Sequence, residues 1–237
     1  MKAVIIVQAR STSTRLPRKV LADLAGRPLL AQQLRRLKRC RCADDIVVAT
    51  TANADDDAIV DIANAENVRW FRGDEHDVLG RYRGAAAEAR ADVVVRITAD
   101  CPLIDAEVTD RVIERLVGNP ALFDYASNVL RRTYPQGLDA EALYADTLAR
   151  VDRMARSQPA REHVTWFIYG ERPELFAVAS VEDAADNSDL RWTVDTQDDF
   201  ARVQRMYGDL GLGDRDCSYA ELVAYARRSA PVTELRS

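Results

Sequence analysis

Short apolar runs rich in β-branched residues alternate along this chain with longer stretches whose apolar residues recur at helical spacing. The first run, Ala3–Ala9 (AVIIVQA), is apolar at every position except Gln8. That is the pattern of a strand buried on both faces. Leu30, Leu34 and Leu37 then keep the i, i+4, i+7 spacing of an amphipathic helix that opens at about Pro28. Asp45–Thr50 predicts a second strand, and Asp55–Glu66 a helix whose acidic first turn suits the helix dipole. Val68–Phe71 is a short strand. Asp77–Arg90 is a helix with Val78, Tyr82, Ala85, Ala86 and Ala89 turned inward. Asp92–Thr98 is a strand, Asp105–Val117 a helix and Asp124–Asn128 a further strand. Alternation of this kind implies an α/β protein with a mainly parallel, doubly wound sheet and helices on both faces.

The second half is less regular. Residues 129–144 read as a ribbon or lid rather than another strand–helix–strand unit. Helices are expected near 145–156 and 160–169, a strand at Leu175–Val181, and helices at Asp198–Leu210 and Tyr219–Arg228. No Pro/Gly/Ser-rich linker and no internal repeat interrupts the chain. The expectation is one domain over residues 1–237 with an irregular subregion at about 129–170.

Composition narrows the class. With 47% hydrophobic and 30% charged residues the chain fits a soluble globular protein. The first apolar run is too short for a signal core or a membrane span, no small-residue cleavage site follows it, and no longer run occurs. A cytoplasmic protein with no membrane partner is expected. Cys40, Cys42, Cys101 and Cys217 fit neither a disulfide framework nor a CxxC pair.

Net charge is −5, yet residues 1–41 hold eleven Lys/Arg against Asp23 alone, a local +10. Arg35, Arg36, Lys38 and Arg39 flank the leucine stripe and read as a solvated helix surface. The cations of the loop after the first strand have no such explanation. Arg10–Lys19 (RSTSTRLPRK) carries Arg10, Arg15, Arg18 and Lys19 among four hydroxyl residues and no carboxylate. A cationic, hydroxyl-rich loop at the carboxyl end of a first strand is where an α/β protein binds phosphates. GxxxxGK[ST] and GxGxxG are both absent, which excludes an ordinary P-loop NTPase or dinucleotide oxidoreductase.

Two aspartates join this loop. Asp100, in RITADCPL, ends a buried strand on the ligand edge of such a sheet, where a carboxylate can hold Mg²⁺. A turn or N-cap aspartate ahead of the helix at Asp105 accounts for it equally well. Asp195, in LRWTVDTQDDF, ends a short apolar run just before a helix, where an N-cap role is also open. Together with the loop they form a coherent set: two carboxylates for a metal, cations for a phosphate tail.

The ordered run of VQARSTSTRLPRKVL, DLAGRPLL, IVVATTANADDDAI, FRGDEHDVLGRYRGAA, VVVRITADCPLID, YASN, TYPQGLDAEAL, REHVTWFI and LRWTVDTQDDF resembles the cytidylyltransferase family. That family includes CMP-Kdo synthetases and acylneuraminate cytidylyltransferases. The chain is most similar to the branch named after a spore-coat polysaccharide biosynthesis protein. The likeness runs from residue 4 to about 200. It implies a Rossmann-like nucleotidyltransferase fold, Mg²⁺ dependence, CTP as donor, and attack of an acceptor hydroxyl on the α-phosphate with loss of pyrophosphate. Carried over by position, Arg10, Arg15 and Lys19 would hold the triphosphate, with Ser11 in the same loop. Asp100 and Asp195 would hold Mg²⁺. Ala9, Thr98 and Ala99 would lie near the cytidine, and Arg72 would line the same pocket or be a surface arginine at a strand end. A homodimer is also implied, with Tyr134, Trp166, Phe167 and Tyr169 as candidates for the contact.

The chain departs from the family twice. LPGK reads Leu16-Pro17-Arg18-Lys19 here, which removes a residue tolerant of positive φ. VLDRY reads Val78-Leu79-Gly80-Arg81-Tyr82. The acceptor is the least legible part. Asp139 offers an acceptor for hydroxyls, Arg131, Arg132 or Arg161 a partner for an anion, and His163 a positioning or proton-handling group. An acidic sugar leads, with a sugar phosphate or small phosphonate as alternatives. The rival activities are a sugar-1-phosphate nucleotidyltransferase using another NTP, a glycosyltransferase (disfavoured because Ala99 interrupts any DxD), and a nucleotide- or RNA-binding protein. The last is disfavoured because no aromatic residue is interleaved with the cations before Trp70, so no nucleic-acid partner is expected.

Overall fold

Val4, Ile5, Ile6 and Val7 have no solvent exposure, so strand β1 (Ala3–Gln8) is covered on both faces. The computed structural model describes residues 1–229. After β1 come a small hairpin, β2 (Asp23–Leu24) and β3 (Arg27–Pro28), then α1 (Leu29–Leu37), β4 (Asp45–Thr51), α2 (Asp57–Ala65) and β5 (Arg69–Gly73). The chain continues through α3 (Val78–Ala89), β6 (Val93–Thr98), α4 (Ala106–Val117), β7 (Tyr125–Ser127) and β8 (Glu141–Tyr144). It ends with α5 (Ala145–Met154), α6 (Gln158–His163), β9 (Val178–Ser180), α7 (Gln197–Leu210) and α8 (Tyr219–Ser229).

Alternation along the strands sorts the core into two layers. Ile5, Val7, Val95 and Ile97 pack with Leu30 and Leu34 of α1, Val112 and Ile113 of α4, and Val203 of α7. Val4, Ile6 and Val94 face the other way and pack with Leu79 and Tyr82 of α3, Leu148 and Val151 of α5, and Phe167. The result is helix, sheet, helix. Each buried aliphatic side chain contributes about 1.5–3 kcal/mol, so the central strand anchors the fold.

The sheet runs β5-β4-β1-β6-β8-β7-β9. The pairs β4–β5, β1–β4, β1–β6 and β7–β9 are parallel. Gln8 lies opposite both Ala49 and Thr98, so β1, β4 and β6 finish side by side and send their loops to one edge.

The first half matches the sequence expectation closely; the second half corrects it. Residues 129–140 are irregular, as expected, but the end of that stretch is not: Glu141–Tyr144 enters the sheet as β8, antiparallel to both β6 and β7. Its short EALY run lacks the length that marks a strand in sequence. The helix expected near 160–169 ends at His163, where Val164 adopts φ +52°, and a π turn follows at Phe167–Glu171. Within Leu175–Val181 only Val178–Ser180 pairs. Arg36 is buried rather than solvated: Nε donates to the Ile104 carbonyl and Nη2 to that of Cys217. Of the aromatics considered for an interface, Tyr134 and Phe167 are buried within the chain and Trp166 is exposed.

Candidate active site

The loop after β1 is built around Ser11. Its N–H donates to Asp56 Oδ1 at 2.7 Å, and its carbonyl accepts from Ser13 N–H (3.0 Å) and Arg18 N–H (2.9 Å). Asp56 is buried in the turn before α2 and also accepts from the Thr51 hydroxyl. The first loop is therefore bolted to the second, with Ser11 inside the bolt rather than facing a ligand. Arg18 takes the left-handed conformation, φ 58° and ψ 23°, which turns the chain back into the short helical turn Lys19–Leu21.

That turn delivers Lys19 to the carboxyl edge of the sheet. Its ammonium donates to Val194 O (2.7 Å), Asp195 Oδ1 (3.0 Å) and Asp100 Oδ2 (3.3 Å). Arg15 meets the same Asp195 Oδ1 at 3.0 Å, and Arg191 donates to Asp195 Oδ2 at 2.8 Å. Asp100 Oδ1 accepts from the Thr98 hydroxyl at 2.6 Å. Burial alone would push the Asp100 carboxyl up; the Lys19 charge and the hydrogen bonds from Thr98 and Lys19 outweigh it and hold it below its ordinary value. The carboxylate is thus ionised across the physiological range.

Asp195 is not the cap of α7. Thr196 is, in a capping box with Asp199, and Asp199 Oδ2 also accepts from the Asp195 N–H at 3.1 Å. The segment 190–195 is fixed on its other side by the turn at Gln136. Gln136 N–H donates to Leu190 O, Trp192 N–H to Gln136 O, and Arg191 Nη1 to Gln136 Oε1 at 3.1 Å. Gly137 (φ +110°) makes this approach feasible, since a Cβ there would stand 2.8 Å from Thr193 N and Trp192 C.

Arg15, Lys19, Asp100 and Asp195 line one pocket together with Gln8, Ala9, Arg10, Thr12, Ser13, Thr14, Thr98 and Ala99, while Gln136 and Arg191 support it from outside the lining. The structure thus gathers Ala9, Arg10, Arg15, Lys19, Thr98, Ala99, Asp100 and Asp195. Other expected residues lie elsewhere. Arg72 is spent on the loop after β4, donating to Thr51 O, Asn53 O and Asp57 Oδ1, and is not among the pocket residues. Asp139 is held bidentately by Arg132. Arg161 joins Asp77 at the start of α3 to Asp152 of α5. His163 is exposed at the end of α6. Asp77 also caps α3 through Gly80 N–H, and its carboxylate fills the space a Cβ at position 80 would take.

No role for Gln8, Asp56, Arg191 or Asp199 is legible in the sequence, which marks Gln136 only as part of the stretch 134–139, a candidate wall for the acceptor. Of the first four, only Arg191 left a trace, as a cation four residues ahead of Asp195. Among the described residues no cluster of three or more His, Cys, Asp or Glu suited to a metal occurs. Two carboxylates, Asp100 and Asp195, share one edge, and oxygen donors of this kind suit a hard cation. Mg²⁺ takes such a set, completing its shell with phosphate oxygens and water.

A mainly parallel sheet flanked by helices, with this pocket at the carboxyl edge of β1 and β6, defines a Rossmann-like nucleotidyltransferase fold. Comparison with known proteins narrows the class. The family model for cytidylyltransferase matches residues 4–221, and the chain belongs to that family. It is 30% identical over 233 residues to the spore coat polysaccharide biosynthesis protein SpsF of Bacillus subtilis, covering 95% of this chain and 94% of that protein. A cytidylyltransferase structure from Leptospira borgpetersenii serovar Hardjo-bovis superposes with a TM-score of 0.92 at 30% identity, over 100% of this chain and 98% of that one. CMP:2-keto-3-deoxy-manno-octonic acid synthetase complexed with CTP shares the fold, with a TM-score of 0.69 at 18% identity over 89% of this chain and 100% of that one. The protein is a nucleotidyltransferase enzyme of the CTP-using kind.

Proposed function

We propose that this enzyme transfers CMP from CTP to an acceptor hydroxyl and releases pyrophosphate, in a reaction that depends on Mg²⁺. One observation carries the reading: Lys19, Arg15 and Arg10 converge on a pocket that also presents Asp100 and Asp195. Displacement at phosphorus asks the protein for alignment and charge neutralisation more than for covalent help. Arg10 and Arg15 grip the triphosphate as planar forks and Lys19 acts as a point charge. Asp100 and Asp195 hold the metal ion, which when bound neutralises phosphate charge and makes the acceptor hydroxyl easier to deprotonate. Ala9, Thr98, Ala99 and Gln8 flank the nucleoside. Ser11 and Arg72 keep the two loops in shape from outside the pocket.

The acceptor approaches from the Gln136–Asp139 turn. Asp139 with Arg132 offers paired donors and acceptors to sugar hydroxyls, and His163 lies at the outer margin. Both acidic groups around Arg161 occupy its fork, which favours a tethering role for that residue. An acidic sugar destined for polysaccharide is the acceptor class we favour, because SpsF is named for such a pathway and the CTP-bound neighbour makes a CMP-activated acidic sugar. One nucleotidyltransferase domain spans the chain, working in the cytoplasm as a homodimer.

Thermal unfolding in the presence of each NTP, with and without Mg²⁺, tests the donor. Ligand at about a hundred times its Kd stabilises the native state by about 2.7 kcal/mol, or roughly 5–10 °C for a chain of this size. CTP with Mg²⁺ should produce that rise, and Asp100→Ala should abolish it. A larger rise with another NTP would move the reading to a sugar-phosphate nucleotidyltransferase. No rise with any NTP would overturn it.

A further inference from the structure

We infer that Lys19 is a resident cation that keeps a free divalent ion out of the Asp100–Asp195 site and is exchanged for the metal only when nucleotide arrives. The inference rests on the reading above and concerns the order in which that site fills. A lysine ammonium has three N–H donors and no acceptor. Here every one is spent on protein: Val194 O at 2.7 Å, Asp195 Oδ1 at 3.0 Å and Asp100 Oδ2 at 3.3 Å. In this arrangement Lys19 has no donor left for a phosphate oxygen. To bind one it must release a partner, and the two carboxylates are the partners a hard divalent ion would take over.

Charge gives the exchange its direction. Asp195 is ringed by Lys19, Arg15 and Arg191, and Asp100 is held by Lys19 as well. Arg191 is shared with Asp199 (Nε–Oδ1 3.6 Å), which Arg202 also meets at 3.1 Å, so four cations stand against three carboxylates and a bare divalent ion enters a site that is already more than neutralised. Lys19 and Asp195 are largely shielded from water, with side chains 12% and 14% exposed, so solvent screens their interaction only in part. A triphosphate reverses the balance. It brings more negative charge than its metal ion brings positive, gives Lys19, Arg15 and Arg10 new partners, and frees both aspartates. Metal and nucleotide therefore bind together, each weakly without the other, as reciprocal coupling requires. The arrangement also prevents an unliganded enzyme from holding a metal ion at an empty nucleotide pocket.

The test uses Mn²⁺ as probe, its protein-bound form read by water-proton relaxation, on the intact protein, Lys19→Met and Lys19→Arg. Wild type should bind Mn²⁺ alone at least tenfold more weakly than it binds Mn²⁺ in the presence of CTP. Lys19→Met, which empties the position of charge, should bind Mn²⁺ alone at least about tenfold more tightly than wild type. The same variant should bind CTP with Mn²⁺ more weakly, so the two effects run in opposite directions. Lys19→Arg keeps the charge and should leave binding of the bare ion as weak as in wild type. A purely structural Lys19 would weaken both kinds of binding and could not tighten one of them. Normal CTP-linked Mn²⁺ binding by wild type, with no tightening in Lys19→Met, would overturn the exchange and leave the donor reading intact. If Lys19→Met does not fold, strong binding of Mn²⁺ alone by wild type overturns the exchange by itself. Absence of any CTP-linked Mn²⁺ binding by wild type would overturn both.

Discussion

Arg18 occupies a backbone position that suits glycine. Its φ of 58° and ψ of 23° lie in the left-handed region, which costs an L-residue roughly 1–2 kcal/mol. The loop retains the turn because Arg18 N–H donates to Ser11 O and Leu21 N–H donates to Arg18 O. The arginine side chain is exposed and is not among the pocket residues. Replacing it by glycine relieves the strain but adds freedom to the unfolded chain. The net expectation for Arg18→Gly is a gain of about 0.5–1 kcal/mol, seen as a melting temperature about 1–4 °C higher, with CTP affinity unchanged. A lower melting temperature would show that the arginine side chain stabilises the loop. A loss of CTP affinity would show that it reaches the phosphates.

At the scale of elements, the loop that forms one wall of the pocket is held by a second loop outside it. Asp56 belongs to the turn before α2, yet its carboxylate secures the loop after β1 through Ser11 N–H and ends β4 through the Thr51 hydroxyl. Burial opposes its ionisation, and these hydrogen bonds prevail, holding its carboxyl below the ordinary value. Asp56→Ala leaves a buried N–H and a buried hydroxyl without partners. That should cost about 1–3 kcal/mol and, because Arg10 and Arg15 lose their footing, weaken CTP binding as well. Calorimetry and CTP titration on the same preparation check it. A stable variant with intact CTP affinity would mean that the loop holds its shape without this tie.

The whole molecule is joined across its middle by a buried polar cluster. Glu141 of β8 accepts from Arg96 of β6, Tyr125 of β7 and Thr165 after α6. Arg96 and Glu141 side chains are only 15% and 4% exposed. Arg96 Nη2 also reaches Gln8 Oε1, which brings the cluster to the wall of the pocket. Breaking such a pair from one side leaves a buried charge uncompensated, at about 3–5 kcal/mol. Glu141→Gln should therefore lower the melting temperature by about 10 °C. A loss of under about 2 °C would show that water or the neighbouring hydroxyls take over the role of the carboxylate.

Sequence by itself determined the elements whose cause is local. The apolar runs at β1, β4 and β6 and the helical spacing of α1, α3 and α4 repeat along the chain, so their burial could be read from period alone. It also marked Lys19, Asp100 and Asp195, because cations in a strand-end loop and carboxylates at strand ends stand out without a partner being known. Tertiary structure decided which groups meet. Lys19 finds Asp100 across 81 positions and Asp195 across 176, and no period links them. The same physics diverted others: Arg72, Arg161 and Asp139 look free in sequence but are paired in the fold, because a partly buried charge takes the nearest opposite charge available. Strand β8 belongs to this second group. Its residues carry too short a pattern to announce a strand, and it forms because β6 and β7 leave two rows of backbone donors and acceptors that a single antiparallel segment satisfies.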